Sequence, residues 1–164
     1  MAVGGGLLAA VVAAVTAMRA ASRLDRLHVR TDAAWAALDA ALRRRAGVVR
    51  ALPCDAALRH AADAALRAGP AWREEAENEL GRVLGALHRQ ALPPAVVTQL
   101  ADIEQRVLIA RRVYNDAVRD TLALRSRRMV RWFRLAGTAP MPRYFEIVES
   151  SLAGYELELD GAGA

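Results

Sequence analysis

The chain has 164 residues, enough for one domain with short appendages, and its 23 basic and 18 acidic residues give a formal net charge of +5. Hydrophobic residues make up 54% of the chain, but only 5% of it is aromatic, and Gly and Pro are few beside Ala and Leu. This composition favours helices and disfavours a β-sheet fold. The single Cys54 excludes an internal disulfide and a thiolate zinc site, and it fits a reducing compartment.

All the basic side chains are arginine, and they are spread along the whole chain. Arginine suits phosphate and carboxylate binding because its planar guanidinium presents a fork of donors. The even spread instead favours the base composition of a GC-rich coding sequence, which enriches Ala and Arg together. The arginine excess therefore does not by itself indicate a nucleic-acid partner, and nucleic acid is not the expected ligand.

The first eighteen residues carry no charged side chain and contain an apolar run from Leu7 to Val15. A membrane-spanning helix needs about 20 apolar residues, with a lower limit near 17, so residues 1–18 predict a short transmembrane anchor. The segment lacks the basic start of a cleaved signal peptide. A signal peptide and a buried helix stay open as alternatives.

Four arginines follow the apolar run at helical spacing, where long basic side chains can reach lipid head groups: Arg19, Arg23, Arg26 and Arg30. Because no basic residue precedes the run, the positive-inside rule places the remainder of the chain in the cytoplasm. We therefore expect a single-pass cell-membrane protein that contacts lipid through residues 2–18, with a cytoplasmic C-terminal domain. The alternative is that these arginines form an ordinary solvated helix face.

Apolar residues recur at steps of three and four along residues 19–52 and 95–124, which predicts two long helices. The apolar stripe of the first helix is Leu24, Thr31, Trp35, Leu38, Leu42, Val49 and Leu52. The stripe of the second helix is Ile103, Val107, Ala110, Tyr114, Ala117 and Thr121. Both stripes are expected to meet in one core, so Trp35 and Tyr114 should be buried there.

Three breaks separate the predicted helices, at Pro53, Gly69-Pro70 and Pro93-Pro94. Two shorter helices are expected between them, over residues 55–68 with Asp55 as N-cap and over residues 72–90. A single return pass, kinked at Gly69-Pro70, is the alternative. The inward residues of the segment 72–90 should be Ala76, Leu80, Val83, Leu84 and Leu87. Acidic residues are enriched in its first turns, as is typical of a helix start: Glu74, Glu75, Glu77 and Glu79. The predicted fold class is all-α, an elongated antiparallel four-helix bundle after a transmembrane helix.

Four short motifs stand out along these segments: Asp32 to Asp39 followed by Arg43-Arg44-Arg45; Glu77-Asn78-Glu79-Leu80; Glu104 to Val118; and Pro142 to Glu146. In this order they resemble the motifs of the LemA family of bacterial membrane proteins. The resemblance covers roughly residues 1–147. It implies a membrane anchor at residues 1–18, a helical bundle at 19–147 and no established enzymatic activity. Residues 148–164 are expected to form a flexible tail.

The resemblance also singles out signature residues with a structural or partner-binding role: Asp32, Trp35, Asp39, Arg45, Asn78, Glu104, Arg111, Tyr114, Asn115 and Phe145. On the helix that carries them, Glu104, Arg111 and Asn115 share an edge from which a polar group can reach a partner helix. We predict that Asp39 and Arg111 form an ion pair that fixes the register of the two long helices, with Asn115 beside it. The alternative is that Arg111 and Asn115 face outward and bind a partner protein or a small anion.

No catalytic or metal-binding motif is apparent. His28, His60 and His88 lie in three different segments, and none has the spacing of a zinc or catalytic site. The glutamates near Glu74 have no histidine at ligand spacing. We therefore expect no enzyme, no metal and no cofactor. The leading function is a membrane-anchored, non-enzymatic scaffold or protein-docking module with an unidentified protein partner, and homo-oligomers are an open possibility.

A basic segment with aromatic insets, Arg125 to Arg134, follows the second long helix. Such a segment can bind RNA or an anionic membrane surface, or it can dock its Met129, Trp132 and Phe133 on the end of the bundle. The sequence pI is near 10.5. The alternative function is therefore a membrane-anchored binder of nucleic acid or anionic lipid, which salt would weaken steeply.

Overall fold

A computed structural model describes residues 2–52, 55–86, 92–126 and 140–147. These residues form four α-helices: α1 (Ala2–Ala51), α2 (Ala56–Arg67), α3 (Arg73–Gly85) and α4 (Pro94–Arg125). The described ranges contain no strand, and residues 140–147 follow neither helix nor strand geometry. The predicted all-α class, with two long and two short helices, is confirmed.

The helices begin and end at the predicted breaks. α1 ends at Ala51, just before Pro53, where the proline ring would clash with the preceding turn. α2 begins after Asp55, whose carboxylate accepts a hydrogen bond from the backbone N–H of Leu58 at 2.8 Å, as an N-cap does. Gly69-Pro70 separates α2 from α3, so these are two helices and not one kinked pass.

The chain divides into two compact units, to both of which α1 and α4 contribute. Unit 1 comprises Met1–Trp35 with Val113–Tyr144, and unit 2 comprises Ala36–Arg112 with Phe145–Ala164. Segments distant in the sequence thus form each unit.

All four helices contribute to the hydrophobic core of unit 2. Its buried members are Ala46, Val49, Leu52, Leu58, Ala61, Ala62, Ala65, Leu80, Leu84 and Leu100. The core side of α2 is mostly alanine, and small side chains allow helix axes to approach closely. Burial of this apolar face supplies the main stabilisation of such short helices, because a helix of about 12 residues is marginal by itself in water.

In unit 1, α1 and α4 run antiparallel. Three contacts join them: Leu24 with Leu124, Thr31 with Thr121, and Trp35 with Tyr114. Residue numbers rise along α1 as they fall along α4, which establishes the direction. The Thr31 and Thr121 hydroxyl oxygens lie 3.1 Å apart in a buried position, and the Thr31 hydroxyl also donates to the Leu27 carbonyl at 2.9 Å. Both hydroxyls therefore keep hydrogen-bond partners inside the apolar seam.

The predicted apolar stripes are largely confirmed. Their members on α1 and α4 are buried, except for Trp35 and Ala110, which are half-buried. Tyr114 is buried as expected, whereas the expectation that Trp35 is equally buried was wrong in degree. The Trp35 ring borders a cleft in unit 1, which leaves part of the indole accessible.

The apolar start of α1 exposes its side chains. Leu8, Val11, Val12, Val15 and Met18 are between 40% and 67% exposed. In the described part of the chain, no helix combines the length and the apolar character that crossing a membrane requires. The span predicted within residues 1–18 thus has no support from the described residues.

Some predictions concern residues outside the described ranges. These are the state of the Cys54 thiol, the inward position of Leu87, the docking or exposure of the basic segment beyond Ser126, and the flexibility of residues 148–164. Of the basic segment, the structure describes Arg125 and Ser126 at the end of α4.

Candidate functional site

Charged side chains from three helices meet inside unit 2. We call Asp39, Arg45, Arg73, Glu77 and Glu104 the buried charge cluster. Asp39 and Arg45 lie on α1, Arg73 and Glu77 on α3, and Glu104 on α4. Arg45, Arg73 and Glu77 are each only 1% exposed. Ionisable side chains are almost never buried to this extent unless they are paired, so their mutual contacts determine whether the bundle is stable.

Arg45 joins α1 to α3 and α4. Its Nη2 lies 2.5 Å from Oε2 of Glu77 and donates to the backbone carbonyl of Glu77 at 3.3 Å. Its Nη1 lies 3.3 Å from both carboxylate oxygens of Glu104. The planar guanidinium presents its N–H groups in a fixed fork, so one side chain can hold two carboxylates in a defined geometry. Within the described residues, the buried Nε of Arg45 has no hydrogen-bond partner.

Arg73 extends the cluster to α2. Its Nη2 lies 2.8 Å from Oδ1 of Asp39, its Nη1 donates to the Ala65 carbonyl at 2.5 Å, and the same Nη1 lies 4.0 Å from Oε1 of Glu77. The second carboxylate oxygen of Asp39 accepts from Nε of Arg43 at 2.6 Å. The cluster therefore connects all four helices through charge-assisted hydrogen bonds.

Burial governs the ionisation of Glu77. The low dielectric around the carboxyl group disfavours its charged form and raises its pKa, while the adjacent guanidinium groups of Arg45 and Arg73 act in the opposite direction. The Arg45 side chain is 2% exposed and that of Glu77 is 0% exposed, so solvent and dissolved substrates do not reach this pair. The geometry is that of a structural link between helices.

The predicted ion pair between Asp39 and Arg111 was wrong. The Asp39 oxygens contact Arg43 and Arg73, whereas Nη1 of Arg111 donates to the backbone carbonyl of Ile147 at 3.1 Å. The reason is that α3 places a buried arginine between α1 and α2, and this arginine takes the carboxylate expected to face α4. In contrast, the polar edge predicted on α4 is confirmed for Glu104, which reaches Arg45 on a partner helix.

Arg73 and the buried role of Glu77 were not predicted. Glu77 was grouped with the acidic residues of a helix start, yet it is as buried as the leucines of the core. A signal was present in the spacing, because Arg73, Glu77, Leu80 and Leu84 recur at steps of four, three and four along one face of α3. Two charges that fall on an apolar stripe at this spacing indicate a buried ion pair.

The remaining signature and interface residues lie outside the buried charge cluster. Phe145 is buried, Asn78 and Asn115 are half-buried, and Asp32 is exposed. Among the arginines that follow the apolar run, Arg30 pairs with Asp120 at 3.1 Å, and the other three are exposed on α1: Arg19, Arg23 and Arg26.

Unit 1 contains a half-open cleft of about 370 Å³, which we call the aromatic cleft. It is lined by His28, Thr31, Asp32, Trp35, Tyr114, Pro140, Met141 and Pro142. The ring centroids of Trp35 and Tyr114 lie 5.4 Å apart with an angle of 59° between the ring planes. The Tyr114 hydroxyl donates to the backbone carbonyl of Arg143 at 2.9 Å, which holds the proline-containing segment beside α4. The structure thus brings three signature residues, Asp32, Trp35 and Tyr114, together around one cleft.

The phenol of Tyr114 is kept protonated by its surroundings. Burial raises its pKa, and the negative charge of Asp32 raises it further. The phenol is therefore a donor at all physiological pH values, consistent with its hydrogen bond to Arg143. The Asp32 carboxylate lines the cleft and forms no ion pair with any residue in the described ranges.

The described residues contain no group of three or more His, Cys, Asp or Glu side chains arranged to hold a metal ion. Comparisons with known proteins give no relative: no protein-family model, curated protein or solved structure matches this chain. The resemblance to the LemA family therefore stays a prediction from the four sequence motifs.

Proposed function

We propose that this chain is a LemA-like, non-enzymatic helical bundle that serves as a docking module for other proteins. The observation that carries this proposal is the burial of the charge cluster. Glu77 is the carboxyl group of the described residues whose pKa burial raises, as in many general acids, yet it is paired with Arg45 in a position closed to solvent. A general acid or base must instead reach a substrate proton at hydrogen-bond distance.

Two further signature side chains are engaged in holding the chain together. The Tyr114 hydroxyl donates to the Arg143 carbonyl in unit 1, and the Arg111 guanidinium donates to the Ile147 carbonyl in unit 2. Both contacts attach the irregular segment 140–147 to α4. Structural roles for these polar residues favour a scaffold function and argue against an active site.

The exposed apolar start of α1 supports attachment to a membrane. Leu8, Val11, Val12, Val15 and Met18 project from a helical segment without charged side chains. Exposed arginines follow this segment, and a helix of this kind lowers its free energy by placing its apolar side chains in lipid. We propose that residues 2–18 contact lipid and that the bundle lies on the cytoplasmic side, by the positive-inside rule.

Vesicle flotation tests the membrane part of the proposal. Full-length protein should float with vesicles of phosphatidylethanolamine and phosphatidylglycerol, and Val12→Asp should reduce the floating fraction strongly because a carboxylate must then enter apolar lipid. Val29→Asp is the matched control, since Val29 is a similarly exposed valine on the same helix. Equal flotation of the two variants would contradict lipid contact through residues 2–18.

Photo-crosslinking in intact cells tests the docking part. Ile109 is an exposed isoleucine on the unit 2 part of α4, and a photoreactive residue placed there should give discrete adducts with a partner protein. The control position is His60, which is exposed on α2. No discrete adduct from position 109, or the same adducts from positions 109 and 60, with the protein correctly folded, would contradict a docking role for this surface.

The alternative function, binding of nucleic acid or anionic lipid through arginine, rests on composition. Arg125, at the start of the basic segment, is half-buried and donates from Nη1 to the Pro140 carbonyl at 3.1 Å. A nucleic-acid binder would show affinity for single-stranded RNA that falls linearly with the logarithm of salt concentration. We expect no such binding at physiological salt.

A further inference from the structure

The aromatic cleft of unit 1 has flat apolar walls. The rings of Trp35 and Tyr114 are tilted by 59° and lie within aromatic contact distance, and the rings of Pro140 and Pro142 add further apolar surface. Its volume, about 370 Å³, exceeds that of any single side chain. Tilted aromatic faces present negative electrostatic potential from their π-systems, which attracts a cation.

The polar groups of the cleft also favour a cation that carries N–H donors. Asp32 is exposed, lines the cleft and lacks an ion-pair partner among the described residues. Asp32 and Trp35 are three residues apart on α1, so the carboxylate and the indole lie on neighbouring positions of one helix face that lines the cleft. His28, one turn before Asp32 on α1, has a buried Nε2 without a hydrogen-bond partner in the described ranges. Among the described lining residues, the cleft thus offers the Asp32 carboxylate as an acceptor and contains no arginine.

We propose that the aromatic cleft binds an arginine side chain of a partner protein, with the guanidinium stacked on the accessible part of the Trp35 indole and its N–H groups donated to Asp32. This proposal rests on the docking function proposed above and names the chemical group that a docking site in unit 1 recognises. The Thr31 hydroxyl is already engaged with Thr121 and Leu27, so it does not contribute to recognition.

The geometry selects a guanidinium over other cations. A quaternary ammonium group carries no N–H and would leave the Asp32 carboxylate without a hydrogen bond. An ammonium group donates three hydrogen bonds from one point but cannot stack on a ring. A guanidinium is flat, stacks on aromatic faces and donates in a fork that matches a carboxylate. It therefore satisfies the aromatic wall and Asp32 at the same time.

Titration with two small probes tests the proposal directly. N-acetyl-L-arginine amide carries the guanidinium, and N-acetyl-L-citrulline amide has nearly the same shape but is neutral. We expect the arginine probe to shift the indole N–H signal of Trp35 in NMR spectra of the full-length protein. The citrulline probe should bind at least about fivefold more weakly, as expected when a cation–π contact and an ion pair are lost.

Matched variants identify the carboxylate that is responsible. Asp32→Asn should weaken the arginine probe about three- to tenfold. Asp25→Asn removes the same charge from an exposed position on the same helix and should leave binding unchanged. Both positions are exposed, and circular dichroism should show equal helix content in the two variants.

Equal binding of the two probes, no binding of either probe, or equal loss in Asp25→Asn and Asp32→Asn would each overturn the proposal. The probe titration needs no partner protein, so it is independent of the photo-crosslinking experiment. If the cleft binds the arginine probe but photo-crosslinking recovers no partner, the docking function is refuted and arginine binding still stands. Conversely, recovered partners together with a cleft indifferent to arginine would refute this inference alone. Dimerisation that Asp32→Asn abolishes would overturn the assignment of the arginine to a different protein.

Discussion

The Nη2 atom of Arg45 lies 2.5 Å from Oε2 of Glu77, and neither side chain is more than 2% exposed. Arg45 also holds Glu104, so one guanidinium compensates two carboxylates from two other helices. A buried ion pair of this kind contributes little when compared with well-packed apolar residues, but removal of one partner leaves an uncompensated charge in a low dielectric. The contact therefore specifies which helix faces meet.

The first prediction concerns the loss of the central cation. Arg45→Met should lower the free energy of unfolding by about 3–5 kcal/mol, because two carboxylates are then buried without their main partner. Urea denaturation followed by circular dichroism measures this loss. Arg44→Met is the control, since Arg44 is its exposed neighbour and should change stability by less than about 0.5 kcal/mol.

Replacement of the whole group tests the reason for that loss. If uncompensated charge is the cause, Arg45→Met combined with Glu77→Leu and Glu104→Leu should recover most of the stability, since apolar replacement of a buried ion pair is often neutral or stabilising. Arg73 keeps Asp39 as its ion-pair partner in this variant. A triple variant less stable than Arg45→Met would show that specific hydrogen-bond geometry, and not charge compensation, holds the helices.

The second prediction concerns pH. Burial raises the folded-state pKa of Glu77 above its ordinary value of 4.5, so the folded protein binds a proton more readily than the unfolded chain. Above the raised pKa, proton binding by Glu77 contributes nothing to the free energy of unfolding. Its contribution grows as the pH falls through the raised pKa and is complete below pH 4.5. Glu77→Gln does not titrate, so wild type should gain stability relative to this variant on acidification.

Denaturation midpoints of wild type and Glu77→Gln, measured in parallel between neutral pH and pH 4, check the sign. The difference between the two proteins matters here, because the contributions of carboxylates distant from Glu77 cancel in it. Wild type that loses stability relative to Glu77→Gln on acidification would show that the guanidinium groups of Arg45 and Arg73 dominate over burial and lower this pKa.

The helices could be predicted from the sequence because the signals that define them are local. Apolar residues at steps of three and four mark the stripes of α1 and α4, and the proline and glycine breaks lie where α1 and α2 end. The Asp55 cap was also predictable, since its carboxylate bonds an amide three residues away. The Glu104 contact followed from its position at the edge of an apolar stripe.

The partners of the charged residues could not be predicted in the same way. Arginines on α1, α3 and α4 are all possible ion-pair partners of Asp39. The sequence does not show which guanidinium the fold brings within 3 Å of the Asp39 carboxylate. The outcome depends on where α3 lies against α1, and α3 contributes Leu80 and Leu84 to the core of unit 2. The aromatic cleft likewise depends on where residues 140–142 return to α4, and no local pattern specifies that position.

The third prediction concerns the hydrogen bond from Arg111 to the Ile147 carbonyl. Arg111→Ala should lower the free energy of unfolding by about 1.5–3 kcal/mol, the range for hydrogen bonds to charged groups. Arg112→Ala is the control, because Arg112 is the next residue on α4 and is exposed. If thermal denaturation shows the two variants to be equally stable, Arg111 does not hold the irregular segment in place.

The fourth prediction uses proteolysis to test how Tyr114 holds the same segment in unit 1. The Tyr114 hydroxyl donates to the carbonyl of Arg143, which is the carbonyl of the peptide bond that trypsin cleaves after this exposed arginine. Tyr114→Phe keeps the ring against Trp35 but removes the donor, at a cost of about 0.5–1.5 kcal/mol. Because a protease must pull its substrate into an extended conformation, cleavage after Arg143 should become about two- to tenfold faster when local opening is rate-determining.

Cleavage after the exposed Arg67, at the end of α2 in unit 2, serves as the internal control. Mass spectra of the digest should show that its rate is unchanged. Faster cleavage at both sites would mean that the variant is globally destabilised. An unchanged rate at Arg143 would mean that other contacts, such as the hydrogen bond from Arg125 to the Pro140 carbonyl, hold the segment without the tyrosine hydroxyl.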